Sequence, residues 1–213
     1  MLDVGLTGGI ASGKTTVSER FQELGAIILN ADRVAKEVVA RGKPAWKQLQ
    51  EWLGPHFFLP DGSLDRKKLA RLVFTDEKAR KKLNSIVHPH VTEQMFARRD
   101  CLKKEHPRAI FIWDVPLLIE TGMHEAVDIV ILVAVPKEIQ IKRLIDRDRL
   151  SLEEACQRLN SQMSLEEKKP YADLIIDNSG SLARTYWQLE KIIWPRLLQL
   201  EEDKHKSQRE TIQ

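Results

Sequence analysis

Residues 4–17 read VGLTGGIASGKTTV. Gly8, four further residues and then Gly13, Lys14 and Thr15 satisfy the G-x-x-x-x-G-K-[ST] spacing, and the context this spacing requires is present on both sides. The apolar run Leu2 to Leu6 predicts a buried strand before it. Val17, Phe21 and Leu24 fall at i, i+4 and i+7 after it and predict a helix that Gly25 closes. Gly8, Gly9, Ile10, Ala11 and Ser12 form the turn, and Gly13, Lys14, Thr15 and Thr16 open the helix. Such a turn aims successive backbone N–H groups at one point, beside the positive end of a helix dipole. Lys14 then reaches the terminal phosphates of a nucleotide and the Thr15 hydroxyl holds Mg²⁺. The loop alone does not say whether the phosphate goes to water, serves a switch, or moves to an acceptor.

Further apolar, β-branched runs at Ala26 to Leu29, Ala109 to Trp113, Ile129 to Val135 and Leu174 to Ile176 predict four more buried strands. Strand, loop, helix, strand at the N-terminus is a βαβ unit, so the expected fold class is α/β with a five-stranded parallel sheet. No comparable strand lies between Asp32 and Lys104. Trp46, Leu49 and Leu53, then Leu69 and Val73, then Leu83, Val87, Val91 and Met95 recur there at helical spacing. The stretches GPHFFLPDGSLD and HP are expected to break those helices. After the fourth strand, Ser151 with Glu154 and Ser164 with Glu167 match the S-x-x-E capping box and predict short helices that start twice. The expected division is a core of residues 1–31, 105–136 and 170–200, a helical insertion at 32–104 and a helical lid at 137–169. Leu182 to Leu200 reads as a last helix bent at Pro195, and the charged stretch 201–213 as a disordered tail.

The chain has 213 residues, 42% hydrophobic and 31% charged, which suits a globular enzyme of one domain with insertions. A net charge of +3, with basic and acidic side chains interleaved, argues against a nucleic-acid partner and for a small polyanionic one. No apolar run approaches the roughly 18 residues of a membrane span. Cys101 and Cys156 carry no metal or redox spacing and read as reduced core thiols, so the expected location is the cytoplasm.

An acceptor is favoured over a switch. A guanine-specificity stretch of N-K-x-D type is missing, and the D-x-x-G match at Asp177 to Gly180 follows the fifth predicted strand rather than the third. Asp32 follows the second strand, where α/β sheets place their ligands. Its carboxylate can accept a hydroxyl proton or simply cap the next helix, and both readings stand. Asp114, at the end of the third strand, either orients Mg²⁺ or forms a turn before Pro116. Arg143, Arg147 and Arg149 in the lid offer charge for a moving phosphoryl group; each singly can pair instead with Asp146 or Asp148. His88 and His90 flank Pro89 at a spacing that does not set two imidazoles on one helix face, so no metal pair is expected there.

Taken together, VGLTGGIASGKTTV, NADRVAKEVV, DGSLDRKKLARLVF, IVHPHV, DVPLLIETG, IQIKRLIDRD and YADLIIDNSG span residues 4 to 180 and resemble the dephospho-CoA kinase family. The resemblance implies transfer of the ATP γ-phosphoryl to the 3′-hydroxyl of dephospho-CoA with Mg²⁺, on a P-loop kinase core with a CoA-binding helical subdomain and a lid. It implies Asp32 as catalytic base, Lys14, Arg143 and Arg147 as catalytic cations, and Asn178 beside the adenine. Asp65, Arg66 and His88 match positions in the acceptor-binding subdomain, and Thr15 and Asp114 serve the metal. Two departures from the family pattern stand out. Asn30-Ala31-Asp32 replaces Asp-Ala-Asp, which leaves Asp32 as the carboxylate, and Ala11 stands where many relatives have Gly. A nucleoside monophosphate kinase-like enzyme and a nucleotide-dependent switch are the alternative readings.

Overall fold

A computed structural model describes the backbone of residues 1–210 and their side chains other than those of residues 74 and 208–210. The chain divides into two units, one made of residues 1–29 with everything from Leu102 onward, the other Asn30–Cys101.

The first unit is built on five strands: β1 (Leu2–Gly8), β2 (Ile27–Asn30), β3 (Ile110–Asp114), β4 (Ile129–Ala134) and β5 (Leu174–Asp177). They form one parallel sheet in the order β2-β3-β1-β4-β5, with Leu6 opposite Asp114 on one side and Ile131 on the other. All of β1 is buried, so its two faces both need cover. On one face Leu2, Val4 and Leu6 pack with Phe21, Ile112 and Leu197. On the other, Asp3 accepts a hydrogen bond from Trp113 Nε1 at 2.9 Å, and the missing side chain of Gly5 makes room for Leu118.

Helix α1 (Lys14–Glu23) buries Val17 and Phe21 and ends as expected at Gly25. There Gly25 N–H donates to Gln22 and Ala26 N–H to Phe21, with Gly25 at φ +104°, the hydrogen-bond pair of a Schellman cap. The last helical stretch is α9 (Leu182–Gln188), a π turn (Leu189–Ile193) and α10 (Trp194–Glu210). The wide turn falls just before Pro195, where a missing N–H already interrupts the ladder. The disordered tail expected from residue 201 is corrected for 201–210, which are helical; 211–213 lie outside the described residues. The physical reason is visible at Glu201: its buried carboxylate accepts from Arg108 at 3.0 Å and from the Met1 amino group at 3.1 Å. Burial by itself would raise its pKa, but the bonds and charges of Arg108 and the amino group together outweigh it and hold the pKa below the usual carboxylate range.

The second unit is helical: α2 (Ala31–Val38), α3 (Pro44–Leu53), α4 (Arg66–Thr75) and α5 (Glu77–Glu105). Ala45, Leu49 and Leu53 form the buried face of α3, and Trp46 donates to the Gly62 carbonyl at 2.9 Å. The expected break at HP does not occur, since α5 runs through Pro89. A proline inside a helix costs about 3 kcal/mol. Buried Ile86, Val91 and Met95 on either side hold the helix together, and the proline ring is exposed.

Candidate active site

The phosphate loop is a backbone structure whose carbonyls are tied down from outside. Ser12 N–H closes a turn on the Gly9 carbonyl at 3.1 Å, Ala11 takes φ +57° and Gly13, at φ +83°, leads into α1. Three successive carbonyls then point at side chains of helix α6 (Lys137–Asp148) and the loop after β5. Gln140 Nε2 donates to Ile10 O at 2.7 Å. Arg143 Nη1 donates to Ala11 O at 3.3 Å and to Ser12 O at 3.4 Å, and Asn178 Nδ2 donates to Ser12 O at 2.7 Å. A peptide whose carbonyl is fixed on one side has its N–H facing the other, which is the requirement of an anion nest.

Two glycines exist for these contacts. A Cβ on Gly13 would lie 2.2 Å from Asn178 Nδ2, and one on Gly9 would lie 2.4 Å from Gln140 Nε2. The amides of the two side chains occupy the space a larger residue would need.

Lys14, the first residue of α1, forms an ion pair with Asp114 at the end of β3, whose carboxylate is buried. Thr15 is exposed next to it. Among the described residues no group of three or more His, Cys, Asp or Glu is placed to hold a metal ion. A hydroxyl and a carboxylate are nevertheless the hard oxygen donors Mg²⁺ takes when phosphates and water complete its shell, so this donor pair fits it.

Asn178, expected beside the adenine, has its side chain engaged within the protein. Its amide nitrogen is bound to the loop, its Oδ1 accepts from Thr185 Oγ1 at 2.7 Å, and its carbonyl accepts from Arg143 Nη2 at 2.8 Å. The side chain is 7% exposed, so it braces the loop, while the residue lines a cavity of about 580 Å³ with Ala11, Thr16, Arg143, Asp146 and Arg147. Arg147 is on the solvent side of α6, paired with Asp148 at 2.8 Å, which raises its own pKa and lowers that of Asp148. Arg149 is the left-handed C-cap of α6, at φ +57°.

Beyond α6 come α7 (Leu152–Asn160) and α8 (Leu165–Lys168), and both begin with the predicted capping boxes. Lys168, fully buried, donates to Glu120 at 2.7 Å, which also receives Met163 N–H at 3.3 Å. Sequence reasoning missed Gln140, Gln162, Thr185 and this ion pair. The available signal was that Gln140, Arg143 and Leu144 share one face of a helix, where a glutamine among buried residues calls for a partner.

The remaining expected residues belong to the second unit. Asp32 is exposed in the first turn of α2 and does not cap it; Asn30 does, accepting from Arg33 N–H at 2.8 Å. The Asp32 carboxylate makes no hydrogen bond or ion pair with the described residues. Asp65 is the N-cap of α4, accepting from Lys68 N–H at 3.0 Å. Arg66 donates to the Lys36 carbonyl at 3.2 Å. His88 is partly buried on α5, and burial pushes its pKa down. Cys101 is exposed rather than in a core, and both cysteines are free. No described helix is long and apolar enough to cross a membrane.

The same span of sequence is found in known proteins. The family model for dephospho-CoA kinase matches residues 2–184. The dephospho-CoA kinase of Bacillus licheniformis is 46% identical over 90% of this chain and 95% of its own. That of Syntrophus aciditrophicus is 44% identical over 97% and 88%. The solved structure of dephospho-CoA kinase from Campylobacter jejuni aligns with TM-score 0.68 at 33% identity, covering 90% of this chain and 95% of that one. Because the likeness runs through the phosphate loop, the helical unit and β5 alike, over nearly the whole of each relative, the chain belongs to the dephospho-CoA kinase family.

Proposed function

We propose that this chain carries the γ-phosphoryl group of ATP to the 3′-hydroxyl of dephospho-CoA, giving CoA and ADP in the cytoplasm. ATP-dependent phosphorylation of dephospho-CoA is the reaction of the family to which it belongs. The observation that supports this chemistry is the loop whose carbonyls are bound outward by Gln140, Arg143 and Asn178, which turns the N–H groups of Ala11 and Gly13 toward a phosphate chain while those of Ile10 and Ser12 are bonded within the protein.

Phosphoryl transfer needs positioning and charge neutralisation more than covalent help. Lys14 leaves Asp114 for the terminal phosphates, and the freed carboxylate, with the Thr15 hydroxyl, would hold Mg²⁺, which would supply positive charge to the phosphate chain. Asp32 aligns the ribose hydroxyl and takes its proton as the new O–P bond forms and the bond to the β-phosphate oxygen breaks. Arg143 and Arg147, on the helix that opens the lid at 137–169, add charge beside the nucleotide, and Asn178 keeps the loop in shape. Asp65, Arg66 and His88 meet the acceptor. A closed lid keeps water from the γ-phosphate.

ADP release is measured with ATP, Mg²⁺ and dephospho-CoA, with nucleoside monophosphates, and with no acceptor. Turnover only with dephospho-CoA is expected, and equal turnover without acceptor overturns the reading. Asp32→Asn then isolates the base. Since Asn30 rather than Asp32 caps α2, stability stays near that of the wild type while kcat falls by roughly 10²–10⁴.

A further inference from the structure

We propose that Gln140 and Gln162 are positioning residues which clamp the apex of the phosphate loop to both ends of the α6–α7 segment, so that lid position and loop geometry are set together. The inference rests on reading this loop as the ATP site.

Ile10 is held on both of its peptide groups. Its N–H donates to Gln162 Oε1 at 3.0 Å, and its carbonyl accepts from Gln140 Nε2 at 2.7 Å. The two glutamines come from different places: Gln140 from the start of α6, Gln162 from just past the end of α7. They meet on one residue across a cavity of about 420 Å³ lined also by Gly9, Leu159 and Met163. Gln140 is 7% exposed and fills the space above Gly9 where a side chain would otherwise be, so its amide has a built seat.

Neither group of Ile10 is left for phosphate, so this residue serves as the point by which the loop is held. Ala11 follows at φ +57°, a left-handed conformation that disfavours a residue with a Cβ. A flip of the peptide between them would relieve that cost, and the Gln140 bond to the Ile10 carbonyl opposes it. Beyond Gln162, Met163 N–H and buried Lys168 are fastened to Glu120. Lifting the segment therefore breaks both Ile10 bonds and slackens the nest, and binding of ATP to the taut loop favours the seated lid. The coupling is reciprocal.

The hydrogen-bond directions provide the test, because Gln140 donates and Gln162 accepts. Glutamate keeps the acceptor and loses the donor, whereas methionine loses both at similar volume. ATP affinity is measured by titration calorimetry with Mg²⁺, alongside kcat and both KM values and a melting curve for each variant. Gln140→Met and Gln162→Met are expected to weaken ATP binding roughly 3–10-fold, the worth of one neutral hydrogen bond. Their KM for dephospho-CoA stays unchanged. Gln162→Glu recovers much of the loss of Gln162→Met, while Gln140→Glu is at least as impaired as Gln140→Met. Both glutamates bring the same charge to one cavity, so phosphate repulsion cancels in that comparison.

The same order of Met and Glu variants at both positions overturns the clamp. So do Met variants with unchanged ATP affinity and kcat, or an effect confined to the dephospho-CoA KM. Calorimetry needs no acceptor: a wild type that binds ATP but gives no turnover with dephospho-CoA defeats the proposed reaction and still decides the clamp. A wild type that binds no ATP overturns the clamp itself.

Discussion

Arg143 and Asn178 hydrogen-bond to loop carbonyls 132 and 166 residues away in sequence, whereas Asn30 and Asp65 bond to amides three residues on. In the sheet unit these two side chains hold a loop in place, and in the helical unit the two named here begin helices. A bond that shapes a loop is felt in what the loop binds. A bond that caps a helix is felt first in whether the helix forms.

Of the effects that test this contrast, the largest separates two neighbours on α6. Arg143→Ala removes donors to three carbonyls and should lower kcat/KM for ATP by about 10²-fold, with a melting temperature close to that of the wild type. Arg147→Ala, which gives up an exposed pair with Asp148 worth well under 1 kcal/mol, should lower it less. Equal losses at the two positions, read from steady-state kinetics, would break the contrast by making Arg147 as intimate with the nucleotide as Arg143.

In the helical unit, Asp65→Ala should cost about 1 kcal/mol of stability through loss of the α4 cap, measured by denaturant titration. Asp65→Asn keeps the cap and restores it. If Asp65 also meets the acceptor, the Asn variant raises the KM for dephospho-CoA at wild-type stability, and the residue then belongs to both classes.

The smallest effect concerns His88. Burial lowers its folded pKa, so as pH falls below the unfolded value of about 6.5 the unfolded chain takes up the proton first. Its contribution to stability is present above that pH and is lost on acidification. His88→Gln should flatten this part of the stability profile between pH 8 and 5. An unchanged difference between the two pH values would mean that the ring carries no penalty for charging.

These contrasts explain what could be read from residues alone. The phosphate loop was legible because a strained turn that must approach an anion admits few residue types: Gly at 13, Lys at 14 and a hydroxyl at 15. β4 was legible because burial on both faces leaves it wholly apolar, and β1 because Leu2, Val4 and Leu6 precede the phosphate loop, with Asp3 and Thr7 as buried polar exceptions. The bracing role of Asn178 was not legible, since its partners are the Ser12 carbonyl and the Thr185 hydroxyl, far from it or unremarkable in a string of letters. The helix face of Gln140 hinted at a buried partner, but neither it nor Gln162 named that partner, because main-chain atoms of Ile10 leave no mark on the residue type. The helix through Pro89 was missed because local propensity there is overruled by Ile86, Val91 and Met95, whose packing only the folded unit reveals.

The π turn at Leu189–Ile193 also settles a matter of phase. Leu189, Ile193, Leu197 and Glu201 are all buried, at 0%, 4%, 0% and 5% exposure, and they recur every fourth residue. An α-helix turns about 100° per residue, so a repeat of four drifts by roughly 40° at each step and soon leaves the core. A wider turn takes back part of that drift and keeps all four in line along the sheet. The segment is therefore counted as well as packed: the wide turn holds one residue more than an α turn, so deleting one residue between 189 and 193 lets the helix close as a plain α-helix with Leu197 and Glu201 still facing the core.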